Sequence, residues 1–315
     1  MKLDLGKINF ANGNLVEATA SDCLSTTMKA FVIGSVGSTE DAIFNLKRFS
    51  QSNQETTAEI KILLAAHLTC LGVRQEAIRI INSLGKITDS SFSGELREYF
   101  VSTISFLMKV LSQENFDIDN IDNRVSIIGD SHVLGISGAC KSRQKLAFCY
   151  VPGITFRSLA SPFNNLKKQG LYNAISLSQG AKTLILSIGE IEMREAFDKP
   201  QSSELKLKYL LSNFSQFLDF FNTFRVQNQN VLLIEPPLPK TIPRSYKRKE
   251  STLYQRFLEN LVEICNNAGI CVIRYAEPIS GTTLVAERPD FFVDHAHYKN
   301  ELYFKLLLES VETYG

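Results

Sequence analysis

From residue 125 onward the chain alternates short apolar runs with longer amphipathic stretches, and this alternation restricts the fold more than any other feature. Val125–Asp130, Leu146–Val151, Thr183–Ile188, Asn230–Glu235 and Ile270–Tyr275 are the short runs. They do not alternate apolar with polar residues, as expected of strands covered on both faces. Helical stretches follow them at about Leu134–Lys145, Ser158–Gln169, Glu204–Phe224 and Thr252–Asn267, with a last one at Asn300–Glu312. Strand–helix alternation of this kind predicts an α/β fold with a doubly wound, five-stranded parallel sheet and right-handed crossovers. Ligands of such sheets bind at the carboxyl edge.

The ends of the runs are therefore where chemistry is expected. The first run leads into Gly129-Asp130-Ser131-His132, which delivers a hydroxyl to that edge. The second leads into Pro152-Gly153-Ile154-Thr155, and the third into Gly189-Glu190-Ile191-Glu192-Met193-Arg194. Asp294-His295-Ala296-His297 stands just before the last helix. A serine needs a base to act as a nucleophile near neutral pH, and histidine titrates there. The histidine in turn needs a carboxylate to hold its tautomer. Asp294 and His297, three apart, can share one short turn. The main-chain N–H at Gly153 can approach a developing oxyanion because no side chain obstructs it. A metal site from Asp130, His132, His295 and His297 is the alternative use of the same groups, but its remaining ligands are not evident. No metal or cofactor is expected. There is no G-x-G-x-x-G after a strand, no P-loop and no G-x-S-x-G elbow, which sets aside dinucleotide, nucleotide-triphosphate and standard α/β-hydrolase readings.

The amino-terminal third reads differently. Gly37-Ser-Thr-Glu-Asp-Ala42-Ile43 and Gly72-Val-Arg-Gln-Glu-Ala77-Ile78 share Gly-x4-Ala-Ile. Leu64, Ala65 and Leu68 have the spacing of one helix face ahead of Gly72, and Ala77, Ile81 and Leu84 continue on a second helix. The glycine ends the first helix, and the alanine lets the pair pack closely. Leu64, Ala65, Gly72 and Ala77 resemble the consensus of a tetratricopeptide repeat. Glu95–Val110 makes one more amphipathic helix, a cap for the repeats. Residues 113–123, rich in Asp and Asn, form the expected linker. The segment is either a concave surface for a protein partner or a helical lid or packing module for the α/β domain that follows.

The full set of blocks carries a second resemblance. The Gly-Asp-Ser start, a glycine after the second and third runs, and Asp-x-x-His before the last helix resemble the GDSL/SGNH hydrolase superfamily over about residues 124–314. The resemblance implies a sheet in the order 2-1-3-4-5. It also implies Ser131 as nucleophile, His297 as base, Asp294 as the carboxylate orienting it, and oxyanion donors from the Ser131 and Gly153 N–H groups. The family's third block is usually Gly-x-Asn-Asp, with the asparagine as a further donor, whereas this chain has Ile191 there. Gly-Glu-Ile-acid-x-Arg resembles a variant subgroup in which Glu190 positions Arg194 toward the substrate. His132 is expected in or behind the pocket. The Glu190–Arg194 pair is otherwise an ordinary surface ion pair.

The expected organisation is residues 1–120 as a helical, tetratricopeptide-like domain and residues 124–315 as an SGNH-like α/β domain. The expected activity is serine ester hydrolysis or acyl transfer on a small acyl ester, such as that of a carbohydrate. The alternative is a weakly active or inactive binding protein whose helical domain recruits a protein partner. In a third reading the function lies wholly in the helical part. With 315 residues, 44% of them hydrophobic, and a formal charge of +1, the chain has ample core and no field favouring nucleic acid or an anionic membrane. No signal peptide or membrane-length apolar run is evident. Six single cysteines suggest reduced, mostly buried thiols and a cytoplasmic protein. A basic loop after the fourth run, with Arg244, Lys247 and Arg248, is either a solvated connection or a contact for an anionic or sugar-containing substrate.

Overall fold

The computed structural model describes residues 25–35, 38–52, 57–85, 92, 96–118, 121, 123–141, 145–162, 164–198, 201–236, 247–274 and 297–314. Helices come first: α1 (Thr26–Gly34), α2 (Thr39–Ser52), α3 (Ala58–Leu71), α4 (Arg74–Asn82) and α5 (Arg97–Ser112). The alternating part follows as β1 (Val125–Gly129), α6 (Ser131–Ala139), β2 (Leu146–Tyr150), α7 (Phe156–Ala160), α8 (Leu166–Leu177), β3 (Thr183–Ser187), α9 (Glu190–Asp198), α10 (Ser203–Asn222), β4 (Asn230–Ile234), α11 (Lys247–Asn267), β5 (Cys271–Ile273) and α12 (Asn300–Tyr314). The strands form one parallel sheet in the order β2-β1-β3-β4-β5. This is the doubly wound α/β architecture expected from the strand–helix alternation, in the strand order that the family resemblance implies.

The unalternating composition of the strands has a direct cause, because both faces of the sheet are covered. Ile128, Cys149, Leu184, Leu186, Val231 and Leu233 face a core built with α7, α8, α10 and α11, rich in phenylalanine from α10. Ile127, Phe148, Tyr150, Ile185, Leu232 and Ile234 face the opposite core, with α6 and α12. That second core also contains Ala30, Leu46, Leu63, Ala77, Phe106 and Val110, so α1–α5 share one continuous apolar interior with the sheet. Residues 62–70 of α3 are all buried, as an apolar run without a polar face requires. Gly72, left-handed at φ 86°, ends this helix, with its N–H turned back to the carbonyls of Leu68 and Thr69.

Several element boundaries differ from expectation for local reasons. The helix after β1 starts at Ser131 rather than Leu134, because Asp130 caps it by accepting the His132 N–H at 3.0 Å. The single helix expected over residues 158–169 is two. Thr155 and Ser158 close a capping box that starts α7, and Asn165 caps α8 by accepting from Lys167 and Lys168. Helix α9 was not expected. The presumed linker is anchored: Phe116 N–H donates to Ala139 O, and Phe116 O accepts from Lys141, both at 2.8 Å. Cys70, Cys140, Cys149 and Cys265 are buried thiols, while Cys23 lies outside the described residues.

Candidate active site

Ser131 occupies the first position of α6, one residue past the end of β1. Its neighbour Gly129 runs so close to β3 that a Cβ there would lie 1.9 Å from Ser187 O. Only glycine lets β1 reach the edge in this register. Ser131 Oγ lies 2.8 Å from Nε2 of His297, which precedes α12. A hydroxyl at this distance from an imidazole nitrogen can pass its proton to the ring as it attacks. The ring of His297 also stacks on Phe106 of α5, with centroids 3.6 Å apart and planes within 16°.

The turn after β2 brings Gly153 to the same cavity, left-handed at φ 61°, a conformation that glycine adopts without cost. Lys167 Nζ donates to Pro152 O and so ties this turn to α8. Burial pushes the Lys167 amine down to about 7. From the third block, Glu190, Ile191 and Arg194 also face the cavity. Arg194 pairs with the buried Glu190 carboxylate at 3.6 Å. Glu192 points elsewhere: it is buried and accepts the Arg157 N–H at 2.8 Å, which holds α9 against the start of α7. Burial pushes its carboxyl up to about 7. Burial also drives the Asp130 carboxyl well above the usual range. The His132 N–H opposes that rise, and nearby Glu190 and Glu192 add to it.

His132 lies behind the cavity and does not line it. It is buried, its Nδ1 is 2.7 Å from Tyr303 Oη, and its ring centroid is 5.0 Å from that of His297. Tyr303 Oη also accepts the Tyr298 N–H at 3.3 Å, so α6, α12 and the residue after His297 form one buried assembly. Among the described residues, no group of three or more His, Cys, Asp or Glu side chains is arranged to hold a metal. Asp294, His295 and Arg244 lie outside the described residues, and Lys247 and Arg248, expected in a basic loop, instead begin α11, with side chains outside the description.

The cavity holds about 650 Å³. Its opposite wall is α5, whose Glu98, Tyr99, Ser102, Thr103, Ser105, Phe106 and Lys109 face Ser131 and Arg194. Sequence reasoning placed α5 as a cap for helical repeats and missed this wall. The available signal was the polar series Glu98, Ser102, Ser105 and Lys109, one helical stripe, which looks the same whether it faces a cavity or bulk water.

Fold and site together define an α/β protein with a serine–histidine pair at the carboxyl edge of a 2-1-3-4-5 parallel sheet. No family model matches the chain, and no curated protein matches it by sequence. Among solved structures it is similar to a member of the lipolytic protein G-D-S-L family from Veillonella parvula DSM 2008, with a TM-score of 0.39 and 14% identity, over 61% of this chain and 97% of that one. Among the described residues, no helix is long and apolar enough to cross a membrane.

Proposed function

We propose that the protein is a serine ester hydrolase or acyltransferase acting on small acyl esters of hydroxyl-rich alcohols such as carbohydrates. The observation that carries the proposal is the 2.8 Å approach of Ser131 Oγ to His297 Nε2 at the wall of an open cavity. Ser131 attacks the ester carbonyl while His297 takes its proton, and His297 then returns that proton to the leaving alcohol. Asp294 is the carboxylate assigned to steady the imidazolium. The Ser131 and Gly153 N–H groups receive the oxyanion, and Arg194 substitutes for the amide that Ile191 cannot provide. Water or a second alcohol then clears the acyl-enzyme.

The lining supports a small, polar substrate. Ser102 and Ser105 offer hydroxyls, those of Tyr99 and Tyr150 are bonded to each other at 2.7 Å, and Ile191 is the one aliphatic side chain among the described lining residues. The tetratricopeptide-like reading of α3 and α4 is part of the same proposal, with the exposed face of α4, which carries Gln75 and Arg79, open to a protein partner. The second reading, a binding protein without turnover, is favoured by Ile191 in the position of the usual asparagine.

Fluorophosphonate labelling of wild type, Ser131→Ala and His297→Ala separates the two. Labelling of wild type alone supports the hydrolase. If folded wild type neither labels nor cleaves p-nitrophenyl acetate, the binding reading replaces it.

A further inference from the structure

The last helix of the amino-terminal segment touches the base itself. Phe106 is fully buried, and its ring lies parallel to that of His297 at 3.6 Å. Three residues beyond His297, Asn300 is also buried. Its Nδ2 donates to Val110 O at 3.1 Å and Glu114 O at 3.0 Å, and its N–H donates to Gln113 Oε1 at 2.9 Å. Val110 O is among the last carbonyls of α5, which have no partner within the helix. Arg74 of α4 binds the same helix end through Leu111 O and Gln113 O, at 2.7 and 2.6 Å. The ring of His297 and the backbone that follows it are thus both registered against α5.

We propose that α5 is a working part of the catalytic site and that Phe106 is the positioning residue of His297. The inference rests on the serine-hydrolase reading above. The terminal torsion of a histidine is broad and roughly two-fold. A parallel ring on one face removes that freedom and keeps Nε2 directed at Ser131. The same ring turns its electron-rich face to the imidazolium that forms as Ser131 attacks, and that attraction is stronger toward the cation than toward the neutral ring. Phe106 therefore favours the transition state over the resting state. The amino-terminal segment then does more than recruit: the nucleophile comes from one part of the chain, and its base is held by the other.

The test uses the full-length protein with Phe106→Leu, Phe106→Met and Phe106→Tyr, each checked for folding by its melting temperature. Leucine and methionine keep the apolar volume and lose the aromatic face, so either can stand in if the other does not fold. Two readouts are taken: the rate of fluorophosphonate labelling, and the carbon-bound ring protons of the histidines by NMR. With four histidines in the chain, the His297 signal is identified by its loss in His297→Ala. In wild type, the ring current of Phe106 displaces that signal upfield. Leucine and methionine should abolish the displacement and slow labelling about thirtyfold, the scale of a desolvated cation–π contact. Tyrosine should restore both. The other charged and titratable groups around the ring (Asp130, His132, Glu190, Arg194, Glu98 and Lys109) are unchanged across the series. A folded leucine or methionine variant that labels within about twofold of wild type, or keeps the upfield signal, overturns the proposal. If wild type neither labels nor cleaves p-nitrophenyl acetate, the hydrolase reading falls, and the NMR displacement still decides whether Phe106 holds His297.

Discussion

Replacing Glu192 with glutamine should stabilise the protein at neutral and alkaline pH although it removes a charge from a polar site. The Glu192 carboxyl is buried, and burial lifts it from 4.5 to about 7. A folded-state value above the unfolded one means that the native protein keeps a proton that the unfolded chain has released. The native state is undisturbed below about pH 4.5, loses stability as pH rises from there to about 7, and carries the full penalty above that. At about 1.36 kcal/mol per pK unit, that displacement amounts to about 3 kcal/mol. Glutamine cannot ionise, and its amide oxygen can still accept the Arg157 N–H that Glu192 accepts at 2.8 Å. Urea unfolding of both proteins at pH 4 and pH 8 measures the effect. The advantage of the variant should be near zero at pH 4 and approach about 3 kcal/mol at pH 8. Glu192 also adds to the rise of the Asp130 carboxyl, so the difference between the two curves includes the relief of that repulsion. A difference that does not change with pH, or a variant less stable than wild type at pH 8, would refute the reasoning.

Substitutions at two further positions probe the site. In Gly135→Ala the new Cβ would lie 2.1 Å from Tyr303 Cε2, so the ring holding His132 must move. Urea unfolding should show a loss of about 1–3 kcal/mol, and an unchanged midpoint would mean that the contact yields freely. Arg194→Ala should slow fluorophosphonate labelling by about two to three orders of magnitude if Arg194 supplies the missing oxyanion donor. Arg194→Lys should fall between, because an ammonium restores charge without the planar fork.

Much of the α/β part was legible because its signals are local. A strand buried on both faces must be apolar throughout, and a chain leaving a parallel strand must turn at once, so Gly129, Gly153 and Gly189 mark strand ends by composition alone. Asn165 was equally local, but the apolar spacing on either side of it suggested one continuous helix. Its cap, a side chain bonded to two main-chain N–H groups, divides that stretch into α7 and α8. Glu190 and Arg194, one helical turn apart, also declared their pairing through spacing.

Ser131 and His297 are individually visible in the sequence as residue types that can do this chemistry, and their positions after a strand and before a helix limit where each can lie. Their 2.8 Å approach spans 166 positions, and only the closing of α12 onto α6 decides it. The role of α5 had no local sign. An amphipathic helix reports that one face is buried, but not against what, because the hydrophobic effect that buries it is non-directional. Phe106 therefore reads as a core residue. Tertiary packing decides that the surface it covers is the ring of His297, since a stack at 3.6 Å depends on where two distant helices come to rest.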